Sequence, residues 1–143
     1  NSPYSDSKLK ALLTYLIIFI IEHELSHDIN GSQGKKINKN INDVMRYIDS
    51  NYMTDINVDN ICKLFSFSSS HFSRLFKQNT GEAFSRYLSK VRLEHAIVLL
   101  SNTDKPIDQI AYECGFKSTS YFSYAFKKEF LVSPLKYRMQ MKG

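Results

Sequence analysis

The chain has 143 residues, 43% of them hydrophobic with nine Tyr and ten Phe, which suits a filled core and excludes a disordered tail. Its net charge is +5, and the excess is local: four Lys face four acidic groups through Lys36, leaving 15 Lys and Arg against 10 acidic groups beyond it. A basic segment interleaved with aromatics and hydroxyls points to an anionic polymer, the competing reading being an ordinary solubility device. Cys62 and Cys114 lack CxxC spacing and fall where apolar helical residues are expected, so a zinc site or disulfide framework is not supported and a reducing cytoplasm fits. No secretory signal is evident, and the most apolar stretch, residues 11–21, is well short of the roughly twenty residues that span a bilayer, so no membrane partner is expected. With Asn1 in place of an initiating Met, the chain is read as a fragment whose partner domain lies elsewhere.

The first helix is predicted from about Asp6 to Asp28, where Leu9, Leu12, Leu13, Leu16, Ile17 and Ile20 recur at helical spacing. Ile18, Phe19 and Ile21 widen that stripe nearly all round. Such a helix needs two covers: a sensor domain and a second copy of the chain, or else the rest of this chain. Asn30 to Asn40, with Gly31 and Gly34, reads as a linker. Residues 1–40 are thus taken as an apolar helix and linker left from a sensing or dimerising domain, and 41–143 as the functional domain.

A second helix is predicted from Asn40 to Asn51, with Ile41, Val44, Met45 and Ile48 on one face. A duplication then begins. Val58, Asp59, Ile61 and Phe67 are answered forty-nine positions on by Ile107, Asp108, Ile110 and Phe116. Phe72, Phe76, Lys77 and Tyr87 are answered fifty positions on by Phe122, Phe126, Lys127 and Tyr137. Two copies are too few to stack as a solenoid, so a paired helical unit is expected. In each copy a short helix (58–65; 106–113) leads through a tight turn into a second (69–79; 119–129). Pro106, after a capping Asp104, and Ser133-Pro134 mark further helix starts. Residues 83–100 run without a breaker as one long helix.

Ala111-x-x-x-Gly115 supplies the small residue and the left-handed turn that two closely crossing helices need, which is helix-turn-helix chemistry. Cys62 and Ser66 stand at the matching places of the first copy, and a serine at positive φ is uncommon. Phe72, Phe76, Phe122 and Phe126 fall on the buried face of each second helix. The opposite faces carry Ser70, Ser73, Arg74 and Lys77, and Thr119, Ser120, Tyr121, Ser123, Tyr124 and Lys127. Hydroxyls and arginine suit base edges, while serines at a helix start and trailing lysines suit phosphates.

These residues resemble the AraC/XylS family of bacterial transcription regulators. The likeness is carried by Phe72-Ser73-Arg74-Leu75-Phe76-Lys77, Gly81, Tyr87-Leu88, Val91-Arg92-Leu93 and Ala96. In the second half it is carried by Ile107-Asp108-Gln109-Ile110-Ala111, Gly115-Phe116, Tyr121-Phe122-Ser123, Phe126-Lys127-Lys128 and Ser133-Pro134-Leu135-Lys136-Tyr137-Arg138. The resemblance implies an all-α fold: a seven-helix domain with two helix-turn-helix units joined by a long helix, here preceded by the apolar helix. It implies a nucleoid-associated activator that binds double-stranded promoter DNA, contacts RNA polymerase and carries an N-terminal effector-binding domain; the apolar first helix is expected to pack on that domain or to form a homodimer. Base contacts pass to Ser70, Ser73, Arg74, Thr119, Ser120, Tyr121, Ser123 and Tyr124, and phosphate contacts to Ser68, Lys77, Ser118, Lys127 and Lys128. Arg92, Ala111 and Gly115 take structural roles. Tyr124 stands where Arg is frequent in such proteins and Leu131 where Gly is, so the second unit leans further on shape and phosphates.

One motif competes. His23-Glu24-Leu25-Ser26-His27 is a literal HExxH, which on a helix offers two zinc ligands and a general base. The metzincin extension fails at Asn30 and Gln33, and no third ligand is placed. The chain is therefore read as a DNA-binding protein rather than an enzyme, without metal or cofactor. A purely helical dimerisation module would leave the duplicated helices unexplained.

Overall fold

The computed structural model of the chain describes residues 13–18, 20 and 35–143. Two units are distinguished, Asn1–Lys39 and Asn40–Gly143. In the first, residues 13–18 and 20 are helical, with Leu13, Leu16, Ile17 and Ile20 each about half exposed. Leu9, Leu12, the 23–27 motif and most of the first predicted helix lie outside the described residues.

Seven helices follow: α1 (Lys35–Asn51), α2 (Val58–Phe65), α3 (Ser69–Thr80), α4 (Phe84–Asn102), α5 (Ile107–Glu113), α6 (Thr119–Phe130) and α7 (Pro134–Lys142). No strand occurs among the described residues. α1 starts five residues before the predicted Asn40, because the last breaker before Asn51 is Gly34 and nothing in the sequence from Lys35 onward interrupts a helix. Its Ile41, Val44 and Ile48 are buried, as the spacing of that face requires.

Capping explains most of the boundaries. The Asn57 side chain accepts from the Asn60 N–H at 2.9 Å, Ser118 from Tyr121 at 3.1 Å and Ser133 from Lys136 at 3.2 Å. Pro134 follows Ser133 at the first turn of α7, where its missing N–H costs nothing. The expected Asp104 cap of α5 is not formed. The residue flanking that helix is Pro106, with no side-chain cap, and the Asp104 carboxylate instead takes the Lys142 ammonium of α7. The Thr103 hydroxyl accepts the Lys105 N–H in the turn that leads into Pro106, and caps no N–H of α5 itself.

The hydrophobic interior forms two clusters divided along α4. Phe84, Leu88 and Val91 join Ile41, Val44, Ile48, Ile61, Phe72 and Phe76, whereas Leu93, Ala96 and Leu100 join Ile110, Ala111, Phe116, Phe122 and Phe126. The duplication is visible in the ring packing. Phe72–Phe76 and Phe122–Phe126 centroids lie 5.4 and 5.8 Å apart, and Phe76–Tyr87 and Phe126–Tyr137 are edge-to-face pairs at 5.2 and 5.6 Å. Burial pushes the Tyr87 and Tyr137 phenols upward from their ordinary range.

Candidate nucleic-acid interface

Each unit turns from its first helix to its second through one left-handed residue. Ser66 has φ 59° and Gly115 has φ 96°. In both, the following Phe donates its N–H back across the turn, Phe67 to Cys62 O and Phe116 to Ala111 O, each at 3.0 Å. This is the six-to-one closure of a helix end, and it fixes the angle at which the next helix leaves. Ala111 is fully buried and Cys62 nearly so, which lets the paired helices approach. The second unit thus has glycine where the turn wants it, and the first tolerates a serine held there by its closing hydrogen bond.

With Phe72, Leu75 and Phe76 inward, α3 exposes Ser70, His71, Ser73, Arg74 and Lys77. Arg74 and His71 meet at 3.5 Å between Nη2 and Nδ1, and the His71 ring stacks on Phe67. With Phe122 and Phe126 inward, α6 exposes Ser120, Tyr121, Tyr124, Lys127 and Lys128, while Thr119 and Ser123 are half-buried. The Lys128 ammonium lies 6.0 Å over the Tyr124 ring, and Tyr121 leans on Phe116 at 6.1 Å. Ser68 and Ser118 accept from backbone N–H groups at the two helix starts, which leaves each hydroxyl proton to donate outward. The predicted residues therefore fall into two clusters, one on each second helix. Two further polar residues that the sequence reading did not single out border them: His71, beside Arg74 on α3, and Lys117, exposed before α6 and 3.2 Å from Asp55. The polar spacing of His71 and Arg74 at i and i+3 was the available signal.

Arg92, on α4, is half-buried and donates from Nε to Tyr52 O and from Nη2 to Thr54 O, both at 2.8 Å. Burial draws its guanidinium below the usual range, with Asp55 opposing. His95, one turn on, stacks on the Tyr52 ring at 3.8 Å with planes 5° apart, and burial lowers its pKa. No group of three or more His, Cys, Asp or Glu arranged to hold a metal occurs among the described residues, and His23 and His27 lie outside them. No described helix is long and apolar enough to cross a membrane.

Two such units on a shared helix, each presenting a polar second helix, define a tandem helix-turn-helix domain. A family model described as a helix-turn-helix domain matches residues 61–140. The chain is 31% identical to the transcriptional activator RhaS of Mannheimia succiniciproducens, covering 80% of this chain and 42% of that protein. Among solved structures it is similar to an AraC-type DNA-binding domain protein of Chromobacterium violaceum, at 30% identity and TM-score 0.67, covering 77% of this chain and 96% of that one. It is also similar to the DNA-binding domain of the global transcriptional factor AdpA in complex with a target DNA, at 26% identity and TM-score 0.67, covering 69% and 89%. The chain belongs to the AraC-type helix-turn-helix family, a family of DNA-binding transcription regulators rather than enzymes. It spans half or less of the length of the curated relatives it matches.

Proposed function

We propose that this chain is the DNA-reading part of a bacterial transcription activator, and that it grips two adjacent major-groove segments on one face of a duplex. The observation that carries this reading is the repeated geometry: two second helices with polar outer faces, held on α4. Its 19 residues make a strut of about 30 Å, close to the roughly 34 Å between successive major-groove faces. Ser70, Ser73 and Arg74 read bases from α3, and Thr119, Ser120, Tyr121, Ser123 and Tyr124 from α6. Ser68, Lys77, Ser118, Lys127 and Lys128 take phosphates, which makes affinity fall steeply with salt. Arg92, Ala111 and Gly115 hold the frame.

The intact protein works in the cytoplasm, joins this domain to an N-terminal effector-binding domain and contacts RNA polymerase. The half-exposed Leu13, Leu16, Ile17 and Ile20 face that domain or a second copy. The test of DNA reading is selection from random duplexes with a salt titration in parallel. Two different motifs about ten base pairs apart are expected. Retention without sequence preference, lost at modest salt, would overturn the reading and leave only a basic helical surface.

A further inference from the structure

α4 is the element that enters both hydrophobic clusters, and a single helix joining two lobes resists bending and twisting between them only by its own stiffness and by its packing in each. A second contact lies off that axis. The loop between α1 and α2 offers the Tyr52 and Thr54 carbonyls to Arg92, and the Tyr52 ring to His95. The turn of the second unit closes over the same place. A Cβ at Gly115 would stand 2.5 Å from Tyr52 O and 2.8 Å from Arg92 Nε, so that backbone already rests on the hydrogen bond between them. Lys117, two residues on, pairs with Asp55 of the loop. The loop of the first unit, the joining helix and the turn of the second unit therefore meet at one point.

We propose that this junction is a spacing gauge, with Arg92 as its positioning residue: it fixes the rotation of α6 relative to α3 and so selects the number of base pairs between the two motifs. The inference rests on the reading of both helices as DNA readers. Each base pair inserted between motifs turns the second by about 35° and moves it by about 3.4 Å, which a locked pair of readers cannot follow and a loosened pair can. Arg92 suits the task because its planar fork holds two carbonyls at once, whereas a lysine would hold one.

The probes are duplexes carrying the two selected motifs, with the spacer kept or changed by one or two base pairs, and duplexes carrying one motif. The native chain is expected to prefer one spacer by roughly tenfold or more, the loss expected when one reader is moved off its bases. Arg92→Met keeps the packed stem and loses both donors. It should flatten that preference to within about twofold while leaving single-motif affinity within about twofold. Arg92→Lys should fall between, and His95→Ala, which removes an exposed ring and no core group, should flatten the preference in part. Full spacer preference in all three variants, or an equal loss at every spacer, would overturn the gauge. A native chain that selects no motif at all would instead overturn the reading on which it rests, and one that selects both motifs with no preferred spacer would overturn the gauge alone.

Discussion

Arg74 and Lys127 carry the same charge but stand in different chemistry. Arg74 projects from the exposed face of α3 with His71 at its side, a geometry that lets a planar fork meet a base edge. Arg74→Ala should cost about 1–3 kcal/mol at one base position of the selected site, whereas Lys127→Ala should weaken all sequences alike and lower the salt slope by about one. Binding isotherms on selected and random duplexes separate the two, and an equal loss on both for Arg74→Ala would refute its base-reading role. Cys114 makes a prediction of a different kind. Burial pushes its thiol up to about 11 from an ordinary 9.0, with Glu113 reinforcing the shift and Arg92 opposing it. The folded thiol titrates above the unfolded one, so its contribution to stability is complete below pH 9 and drains away as pH climbs from about 9 towards 11. Urea unfolding across that window should show stability falling, and Cys114→Ala should show a shallower fall. An unchanged slope in that variant would remove Cys114 as the cause.

At the level of elements, the two copies end their second helices with the same left-handed backbone but different residues. Gly81 closes α3 at φ 78° and Leu131 closes α6 at φ 67°, positions fifty apart in the sequence. Nothing lies within 4 Å of a Cβ built on Gly81, so the demand at this place is on backbone angle rather than space. Leu131 is 82% exposed and earns no burial in return for its left-handed backbone. Leu131→Gly should relieve about 1–2 kcal/mol of strain against the ~0.4–1 kcal/mol that glycine's unfolded freedom costs, for a net gain of about 1 kcal/mol. A thermal midpoint that falls on this substitution would contradict that balance. The turn at Gly115 and the buried Phe pairs were legible in the sequence through spacing and repetition, and the departure at Leu131 through the family resemblance, which marks that place as one where Gly is frequent. The start of α1 and the cap of α5 were not. Composition around Gly31 and Gly34 suggested a break that α1 does not observe at Lys35–Asn40, and Asp104 looked like a cap while its partner, Lys142, stands thirty-eight residues away. Of the junction, Arg92 and Gly115 were legible as structural residues, but their partners were hidden, since Tyr52 and Thr54 act there through carbonyls that any residue would supply.

Across the whole domain, the division of the interior along α4 predicts how it comes apart. Val91 belongs to the first cluster and Leu93 to the second, so the boundary falls within one turn of a continuous helix. Phe76 and Phe126 are fully buried counterparts, each touching its own set of rings. Truncation of either to Ala should cost about 3–5 kcal/mol, the usual range for a buried Phe. Where that loss appears distinguishes one cooperative fold from two linked ones. In Phe126→Ala, amide exchange should accelerate in α5, α6, α7 and the second half of α4, while α2 and α3 keep their protection through the Phe72, Phe76 and Phe84 contacts. Phe76→Ala should give the reverse pattern, with α6 and α7 held by Phe122, Phe126 and Tyr137. Binding should follow suit: Phe126→Ala retains recognition of the motif read by α3 and loses the other. Equal acceleration at every amide in both variants would mean that α4 and the junction at Arg92 weld the two clusters into one unit, too tightly for either to open alone.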